Sequence, residues 1–490
     1  MNSLAPRDAT MYWLSARTRN DLFLLYCFAE TGATAGELRA AIAARAARVP
    51  DLLVHVLDTP ANIAYPIWAP CEFMVDQFTE PPLPDATWAN VTEALGELLG
   101  TGVRAQYRPW RVHVFRGISG APGFEPGERA LVAVLQLSHA LADGRRAGAI
   151  ARALFGETAA EPTPEPGKNR STPLNRVFAA GQRRLPAAVA RIVPARWLAA
   201  AAALPALPIG MARTVFRGVA AYRAERQLAE LTAAEEIPPP TPGAAPNALN
   251  GAGRAPAGHA VRMIVRDADS VRVPGHTVTV VVLTAVSLAL QRHLDRHGEP
   301  GDELLAQVPM SITGADRTRN SYRDLSVDLA AREPVLPLRA ARIAAELASR
   351  RERALHPLQE VRARANDELP AALLHRDVTH YPIEALPERV SGHTVVSSVH
   401  RGPADLSFGG GRARFTAGFP ALGSVMHLTH GVHGLGDNVT ISVHADPAVV
   451  PDLDAYAGLL DSALSEVASA LRTIPDKAKT PADRVRPGPS

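Results

Sequence analysis

Residues Leu131–Gly144 have the sequence LVAVLQLSHALADG, the stretch that decides the fold. The apolar run Leu131–Leu137 predicts a buried strand, and the spacing of apolar residues over Asp143–Phe155 predicts that a helix comes next. His139 therefore lies at the end of a strand, beside a tight turn. A histidine in that position can face a cleft while its backbone is held rigid, so we take His139 as the candidate catalytic base.

A second histidine, His433, has nearly the same spacing, H-x-x-x-D-N. It lies between glycines in an apparent hairpin turn, with no predicted strand before it and no predicted helix behind it, so we expect a structural role there. A zinc site is one interpretation of the three histidines His427, His430 and His433. Residues three apart on a strand alternate between faces and the intervening glycines disfavour a helix, so we predict no metal site.

Segments rich in proline and glycine divide the chain. Each of the two long segments mixes short apolar strands with amphipathic helices, which predicts an α/β (α+β) fold of two lobes, each with a mixed sheet. The predicted divisions are a first lobe (1–160), a linker (161–258), a second lobe (259–472) and a disordered tail (473–490).

The individual elements are predicted from apolar patterning, and Thr34 with Glu37 predicts a capping box that starts an early helix. The predicted strands are Leu22–Ala29, Val112–Phe115, Leu131–Leu137, His259–Val265, Leu304–Ile312 and Asn438–Val443. The predicted helices are 35–48, Asp143–Phe155, Val278–His297, Leu338–Arg353 and Asp454–Leu471.

The charge is unevenly distributed along the 490 residues. There are 52 basic and 49 acidic residues in all, but Lys168–Arg226 contains eleven basic residues and one acidic residue, a net charge of +10. Within it, Trp197–Ala212 is uncharged and carries two internal prolines, which suits a segment lying in the interface of an anionic membrane. A linker helix that packs on the protein is the alternative. Nothing in the composition predicts nucleic-acid binding, and Cys27 and Cys71 form no disulfide framework.

Several short motifs, in the same order along the chain, resemble those of the bacterial wax ester synthase/acyl-CoA:diacylglycerol acyltransferases. This family belongs to the superfamily of chloramphenicol acetyltransferase and the peptide-synthetase condensation domains. Ser138–Gly144 resembles its His-His-x-x-x-Asp-Gly motif, with serine for the first histidine. The other matching segments are Leu4–Ala9, Arg108–Gly117, Leu249–Gly251 with Arg254, Val308–Ser311, Ser397–Val399 and Gly402–Pro403.

The resemblance implies two chloramphenicol-acetyltransferase-like lobes with the active site in a channel between them. It implies acyl-CoA as a co-substrate, no other cofactor, and diacylglycerol or a long-chain alcohol as the acceptor. His139 would act as a general base without an acyl-enzyme. Asp143 would give structural support, by capping the helix or pairing with an arginine, and Gly144 would permit the turn.

Four further residues are candidates for substrate binding: Ser138, Trp110, Asn250 and Ser398. Ser138 is a poor candidate nucleophile, because it points away from His139 if the strand continues and no G-x-S-x-G elbow is present. Asn250 and Ser398 either line the cleft or serve turn chemistry.

The sequence also departs from the family pattern. Thr279–Val280 stands where the family has Asn-Asp, Ser398 replaces the family asparagine, and the arginine after Val-Ser is absent. Two alternatives arise: the same chemistry on a specialised acceptor such as a glycolipid or polyketide alcohol, and a catalytically silent lipid- or CoA-binding homologue. We expect a cytoplasmic protein, peripherally associated with the inner face of the cell membrane or with lipid bodies.

Overall fold

A computed structural model describes residues 2–156, 197, 200–201, 207–312 and 318–473. Most of the basic part of the predicted linker, including much of Trp197–Ala212, and nearly all of the predicted tail lie outside these residues. The strands within them are β1 (Asn2–Ser3), β2 (Leu22–Ala29), β3 (Val54–Leu57), β4 (Ile67–Pro70), β5 (Phe78–Thr79), β6 (Trp110–Ile118), β7 (Ala130–Leu137), β8 (Ala260–Asp267), β9 (Leu305–Ser311), β10 (Tyr322–Asp328), β11 (Thr394–His400), β12 (Ser407–Phe408), β13 (Gly411–Gly418), β14 (Leu428–Leu435) and β15 (Asn438–Ala445).

Helices are interspersed with these strands, as expected for a mixed α/β chain. Within the described residues they are α1 (Pro6–Leu14), α2 (Ala35–Ala46), α3 (Trp88–Leu99), α4 (Gly144–Phe155), α5 (Leu207–Ala233), α6 (Ala268–Val271), α7 (Val278–Arg296), α8 (Leu336–Leu355), α9 (Pro357–Asn366), α10 (Ala371–His380) and α11 (Leu453–Arg472).

The first large sheet has the strand order β12-β13-β2-β7-β6-β5. β7 is one of its two central strands, and all eight residues of this strand are buried, which explains why its sequence is apolar without alternation. Helices α1, α2 and α4 pack on one face of the sheet, and α3 packs on the other. Burial on both faces fixes the position at which β7 ends and the chain continues to Ser138 and His139.

The second large sheet has the order β10-β9-β11-β14-β15-β8. Helices α7, α8 and α11 cover one face and form the second core with it. Of the described helices, α7 alone is long and apolar enough to cross a membrane, but 72% of its most apolar stretch is buried in this core. Its hydrophobicity is therefore explained by packing inside the second lobe.

The two sheets are joined by strands that leave the second lobe. β12 and β13, residues 407–418, extend the first sheet through antiparallel pairing of β13 with β2, although chain order places them among the second-lobe strands. The backbones of β13 and β14 approach so closely that a Cβ on Gly431 would lie 2.2 Å from the carbonyl oxygen of Gly418. Only glycine fits there, so the junction of the lobes is narrow and tightly packed.

Most of the predicted elements are confirmed. The predicted strand Leu22–Ala29 is β2 to the residue, and the predicted helix from Val278 ends at Arg296, one residue earlier than expected. The Thr34–Glu37 capping box is formed in both directions. The expectation of no strand before His433 is wrong, because this residue lies inside β14, whose side chains are buried on both faces.

Candidate active site

A tight turn at the end of β7 presents His139. Ser138 N donates to the carbonyl oxygen of Pro109 at 2.7 Å, and Leu141 N donates to that of Ser138 at 2.9 Å. Asp143 then caps α4, because its Oδ1 accepts from Arg146 N at 2.9 Å. The turn is thus held at both ends, and it leaves the His139 side chain half-buried between the lobes.

Asn320, from the loop between β9 and β10, fixes the imidazole. Its Oδ1 lies 2.8 Å from His139 Nδ1. Its Nδ2 donates to the carbonyl oxygen of His139 at 2.8 Å and to Asp8 Oδ1 at 2.9 Å. Because the amide nitrogen already faces two acceptors, the amide oxygen must accept from His139. The proton of the neutral imidazole therefore sits on Nδ1, and Nε2 keeps its lone pair.

Asp8 anchors this arrangement from the first turn of α1. Besides the Asn320 amide, its carboxylate accepts from Thr318 Oγ1 at 2.7 Å and from Arg319 N at 2.9 Å. Burial raises the pKa of Asp8, and these donors oppose the rise. Three segments far apart in sequence, around Asp8, His139 and Asn320, therefore form one hydrogen-bonded unit.

Asp143 ties the same loop to the first lobe. Its Oδ2 accepts from Ser321 N at 3.0 Å, and its own N–H donates to the carbonyl oxygen of Arg319. The Arg319 guanidinium pairs with Asp51 at 3.0 Å, and Asp51 also pairs with Arg146. Of the two structural roles expected for Asp143, it performs the capping role, whereas the arginines bind Asp51.

The environment of His139 favours its neutral form. Burial lowers the pKa of the imidazole below its usual value of 6.5, although the Asn320 hydrogen bond acts in the opposite direction. The ring of Tyr322 lies 5.9 Å from that of His139, and the Arg7 guanidinium stacks 4.7 Å from the centre of the tyrosine ring. At neutral pH, His139 is therefore an unprotonated base with Nε2 available, as general-base chemistry requires.

Two expectations for this turn need correction. Gly144 is the first residue of α4, its backbone is not left-handed, and an added Cβ would make ordinary contact with Val399 at 3.9 Å. The turn does not require glycine at this position. Ser138 is 1% exposed, and its hydroxyl accepts weakly from Ala140 N at 3.4 Å, so it supports the turn from inside the core and does not face a substrate.

Trp110 is a structural residue, contrary to the expected contact with substrate, and of the two roles left open for Asn250 the structure favours the one in a turn. Trp110 is fully buried, and its indole N–H donates to the carbonyl oxygen of Leu52 at 2.8 Å. Asn250 is also fully buried; its amide donates to the carbonyl oxygens of Gly392 and Val425 and accepts from Asn247 N. Every polar atom of the two side chains is thus already bound within the protein.

Ser398 contacts Thr279, which is another position at which the sequence departs from the family pattern. The Thr279 hydroxyl, at the start of α7, donates to the Ser398 hydroxyl on β11 at 3.1 Å. Both side chains are partly exposed. Thr279 and Ser398 therefore depart from the family pattern as a contacting pair. Two small hydroxyl side chains stand where the family has larger polar ones.

The three histidines near β14 do not converge. His427 binds Asp446, and His430 contacts Thr394 Oγ1 and the Tyr456 hydroxyl. His433 lies farther along the strand. Within the described residues, no group of histidine, cysteine and carboxylate side chains is arranged to hold a metal ion.

Asn320 and Asp8 are the site residues that sequence reasoning missed. Asp8 lies within the quoted Leu4–Ala9 motif, so its position carried a signal. Asn320 lies in a polar loop, 181 residues from His139 along the chain, and only the fold brings the two together.

A groove of about 470 Å³ between α3 and β8, lined by Glu93 and His259 among others, is a separate surface feature.

Comparison with known proteins supports the fold assignment. No protein-family model matches the sequence, and no curated protein matches it. Among solved structures, the chain is similar to a wax ester synthase/diacylglycerol acyltransferase from Marinobacter aquaeolei VT8, with 17% identity and a TM-score of 0.59, covering 96% of this chain and all of that one. It is also similar to a mutant starter condensation domain of rhizomide synthetase RzmA in complex with C8-CoA, with 13% identity and a TM-score of 0.54, covering 96% of this chain and 97% of that one. The predicted two-lobed fold and its resemblance to these proteins are confirmed at the level of the fold.

Proposed function

We propose that the protein is an acyltransferase that moves an acyl group from acyl-CoA to the hydroxyl of a hydrophobic alcohol. The observation that carries this proposal is the contact of His139 Nδ1 with Asn320 Oδ1 at 2.8 Å. Asn320 holds the proton on Nδ1, so the lone pair of Nε2 is available at the junction of the lobes. The two-lobed fold is shared with a protein named a wax ester synthase/diacylglycerol acyltransferase and with a domain solved in complex with C8-CoA.

The chemistry depends on that nitrogen. His139 Nε2 accepts the proton of the acceptor hydroxyl while the hydroxyl oxygen attacks the thioester carbonyl carbon. The tetrahedral intermediate collapses, the C–S bond breaks, and the imidazolium returns the proton to the departing CoA sulfur. Asn320 and Asp8 keep the ring in one orientation and stabilise the proton on Nδ1 throughout. No covalent bond between acyl group and protein is required.

Diacylglycerol or a long-chain alcohol is the acceptor that we propose. The test is to incubate the purified protein with palmitoyl-CoA and a mixture of diacylglycerol, hexadecanol and glycerol, and to identify the products by mass spectrometry. We expect triacylglycerol or wax ester from the wild type and none above background from His139→Gln. Ester formation by the variant at the wild-type rate would overturn the assignment.

We also propose that the protein binds the surface of an anionic membrane or lipid body peripherally. The support is an apolar stripe on α5, whose opposite side is packed on the protein through the buried Ala224 and Leu228. At 100° per residue the members of the stripe share one face of the helix. Their exposed fractions are Met211 46%, Val215 65%, Phe216 75%, Val219 45% and Tyr222 64%.

Basic residues accompany this stripe, since the first twenty residues of α5 belong to the +10 segment Lys168–Arg226. A peripheral helix binds an anionic membrane by inserting apolar side chains into the interface and placing cations near the headgroups. Val215→Asp should weaken sedimentation with phosphatidylglycerol liposomes. Val75→Asp is the matched control, because Val75 is 64% exposed outside α5. Equal binding by both variants would overturn the membrane proposal.

The Thr279–Ser398 pair favours a second candidate within the same chemistry, a specialised acceptor alcohol. Two departures from the family pattern that contact each other at 3.1 Å fit an altered substrate contact better than a loss of the site, because His139 and its partners are intact. Offering one acyl-CoA with a panel of glycolipid and polyketide alcohols separates the candidates. Faster transfer to a panel member than to diacylglycerol would favour the specialised acceptor.

A further inference from the structure

Arg401 is a buried cation without a counter-charge. It comes directly after β11, it is 5% exposed, and its Nε and Nη1 have no hydrogen-bond partner among the described residues. No carboxylate in that part of the chain lies within ion-pair distance of it. A guanidinium stays protonated even when it is buried, so this side chain brings one positive charge into the interior. Buried charges are normally paired, because leaving water without a partner is costly.

The groups around Arg401 are polar and, within the described ranges, also lack partners. The guanidinium lies 5.9 Å from the ring centre of Tyr26, whose hydroxyl is buried and unpaired. His433 Nδ1 and the Thr440 hydroxyl are unpaired too, and these two residues are directly opposite each other on β14 and β15. All three neighbours are at most 4% exposed. The cluster thus contains four buried side chains with polar atoms that no described residue binds, whereas buried polar groups in proteins normally have a partner.

This cluster lies along α4 in the direction away from His139. A Cβ built on Gly144 would lie 3.9 Å from Val399, and one built on Gly148 would lie 3.5 Å from Arg401 Nη1. The step of four residues between the two glycines corresponds to about 6 Å along the helix. The guanidinium therefore lies about one helical turn farther along α4 than the start of this helix, which comes directly after the turn that carries His139.

Glycine also forms the opposite side of the cluster. A Cβ built on Gly418 would lie 2.7 Å from His433 Nε2 and 3.0 Å from Arg401 Nη2. A side chain at that position would press on both polar groups. Glycine at position 418 therefore lets His433 and Arg401 lie directly against the backbone of β13.

We propose that Arg401, with Tyr26, His433 and Thr440, binds the carboxylate of a substrate whose reacting group lies at His139. This inference deepens the proposed acyl transfer and rests on it for the identity of the substrate. A planar carboxylate accepts two parallel N–H donors from a guanidinium, and the neighbouring hydroxyls donate to its remaining lone pairs. The substrate class is thus a hydroxy acid acceptor or an acyl-CoA with a terminal carboxylate.

The charge of the cluster selects a monoanion. His433 adds no second positive charge, because burial and the adjacent Arg401 hold its pKa well below 6.5. One guanidinium then neutralises one carboxylate, whereas a phosphate monoester would leave a negative charge buried and unpaired. A phosphate that bound better than a carboxylate would therefore contradict the assignment.

The binding test needs no catalysis. The full-length protein is titrated with sodium hexanoate, hexan-1-ol and inorganic phosphate at constant ionic strength, and the melting temperature and binding heat are recorded. Hexanoate should stabilise the wild type by binding the native state, and hexan-1-ol should stabilise it less. Arg401→Gln should lose about 10–100-fold in hexanoate affinity, as expected when a charge-assisted hydrogen bond is removed.

Arg339→Gln is the matched control. Arg339 is 2% exposed, but its guanidinium donates to four oxygens, on Glu333, Ser287, Gln291 and Ala331. Its removal should lower stability without changing the response to hexanoate. Equal hexanoate binding by wild type and Arg401→Gln, no hexanoate binding by the wild type, or tighter Arg401-dependent binding of phosphate would each overturn the carboxylate site.

Two further arms identify which substrate carries the carboxylate. One compares 12-hydroxydodecanoate with dodecanol as acceptor, and the other compares suberyl-CoA with octanoyl-CoA as donor, each in wild type and Arg401→Gln. Preference for the carboxylated member in one arm, lost in the variant, assigns the source. If the wild type transfers no acyl group but binds hexanoate through Arg401, the proposed function fails and the carboxylate site stands. If the wild type transfers an acyl group but does not bind hexanoate, the proposed function stands and the carboxylate site fails.

Discussion

β7 and β14 are central strands of their sheets, and each delivers a buried or half-buried histidine, but the two histidines have different surroundings. His139, after β7, has Nδ1 bound by Asn320 and Nε2 without a partner in the described part of the chain. His430, inside β14, has both ring nitrogens bound, one by Thr394 Oγ1 and one by the Tyr456 hydroxyl, each within 2.9 Å. The His139 ring therefore has a nitrogen that can accept a proton from a substrate, whereas both nitrogens of His430 are already bound.

The difference arises from the element that comes after each strand. β7 ends in a tight turn and a capped helix, so the chain leaves the sheet and the residue at the turn reaches the space between the lobes. β14 continues through a hairpin at Gly436 into β15, so His433, four residues before Asp437, remains between strands. The H-x-x-x-D spacing alone therefore does not identify a catalytic histidine, because the next helix or strand decides whether the ring can reach a substrate.

The largest expected effect is a difference between His139 and His430 in how much their substitution slows acyl transfer. His139→Ala should lower kcat/KM for acyl transfer by about 10²–10⁴-fold, because it removes the proposed general base. His430→Gln should change it by less than about 3-fold, since that ring is fully buried and has both nitrogens bound within the second lobe. The measurement is CoA release from palmitoyl-CoA with a thiol reagent. Comparable losses in the two variants would remove the distinction.

The next effect tests whether Asn320 acts through His139. Asn320→Leu should lower the plateau of kcat/KM by roughly 10–100-fold, as for other partners that orient a histidine. The Asn320 hydrogen bond raises the pKa of His139, so its loss should move the acid limb of the pH profile to lower pH.

Asn250→Leu is the control for that experiment. Asn250 is equally buried, but it binds the carbonyl oxygens of Gly392 and Val425. Its loss should reduce stability and leave the acid limb in place. A fall in rate without a shift of the limb in Asn320→Leu would assign Asn320 a merely structural role.

A third effect concerns the stability that the protein loses in acid because of the buried His430. Burial lowers the pKa of His430 to about 3, whereas an unfolded histidine titrates near 6.5. Between these values the unfolded state holds one more proton, so stability from this residue is present above pH 6.5 and is lost as the pH falls. The slope is about 1.4 kcal/mol per pH unit. Urea unfolding of His430→Gln at pH 4.5 and 7 should show a smaller difference than the wild type; an unchanged difference would contradict this origin.

The smallest expected effect concerns Ser138, the neighbour of His139 in the turn after β7. Its hydroxyl is buried and makes one weak hydrogen bond, at 3.4 Å, so Ser138→Ala should alter the free energy of unfolding by no more than about 1 kcal/mol. Its kcat/KM should stay within about 3-fold of the wild type, because the hydroxyl faces the core. A loss comparable to that of His139→Ala would revive a role for this serine as nucleophile.

Local patterns predicted the elements around the site well, because they depend on residues close in sequence. The apolar run of β2, the Thr34–Glu37 capping box and the strand-to-helix step at His139 are all local features. The partners of His139 could not be found in this way. Asn320 and Asp8 reach it only through tertiary packing, and the pairing of β13 with β2 likewise joins residues that are far apart along the chain.

The tautomer of His139 tests most directly whether this residue is the general base. Nitrogen NMR of protein labelled with ¹⁵N-histidine, compared with the His139→Gln variant to assign the signals, reports which ring nitrogen carries the proton. We predict that at pH 7 His139 is neutral, with the proton on Nδ1 and a lone pair on Nε2. A proton on Nε2 at that pH would contradict the assignment of His139 as the general base.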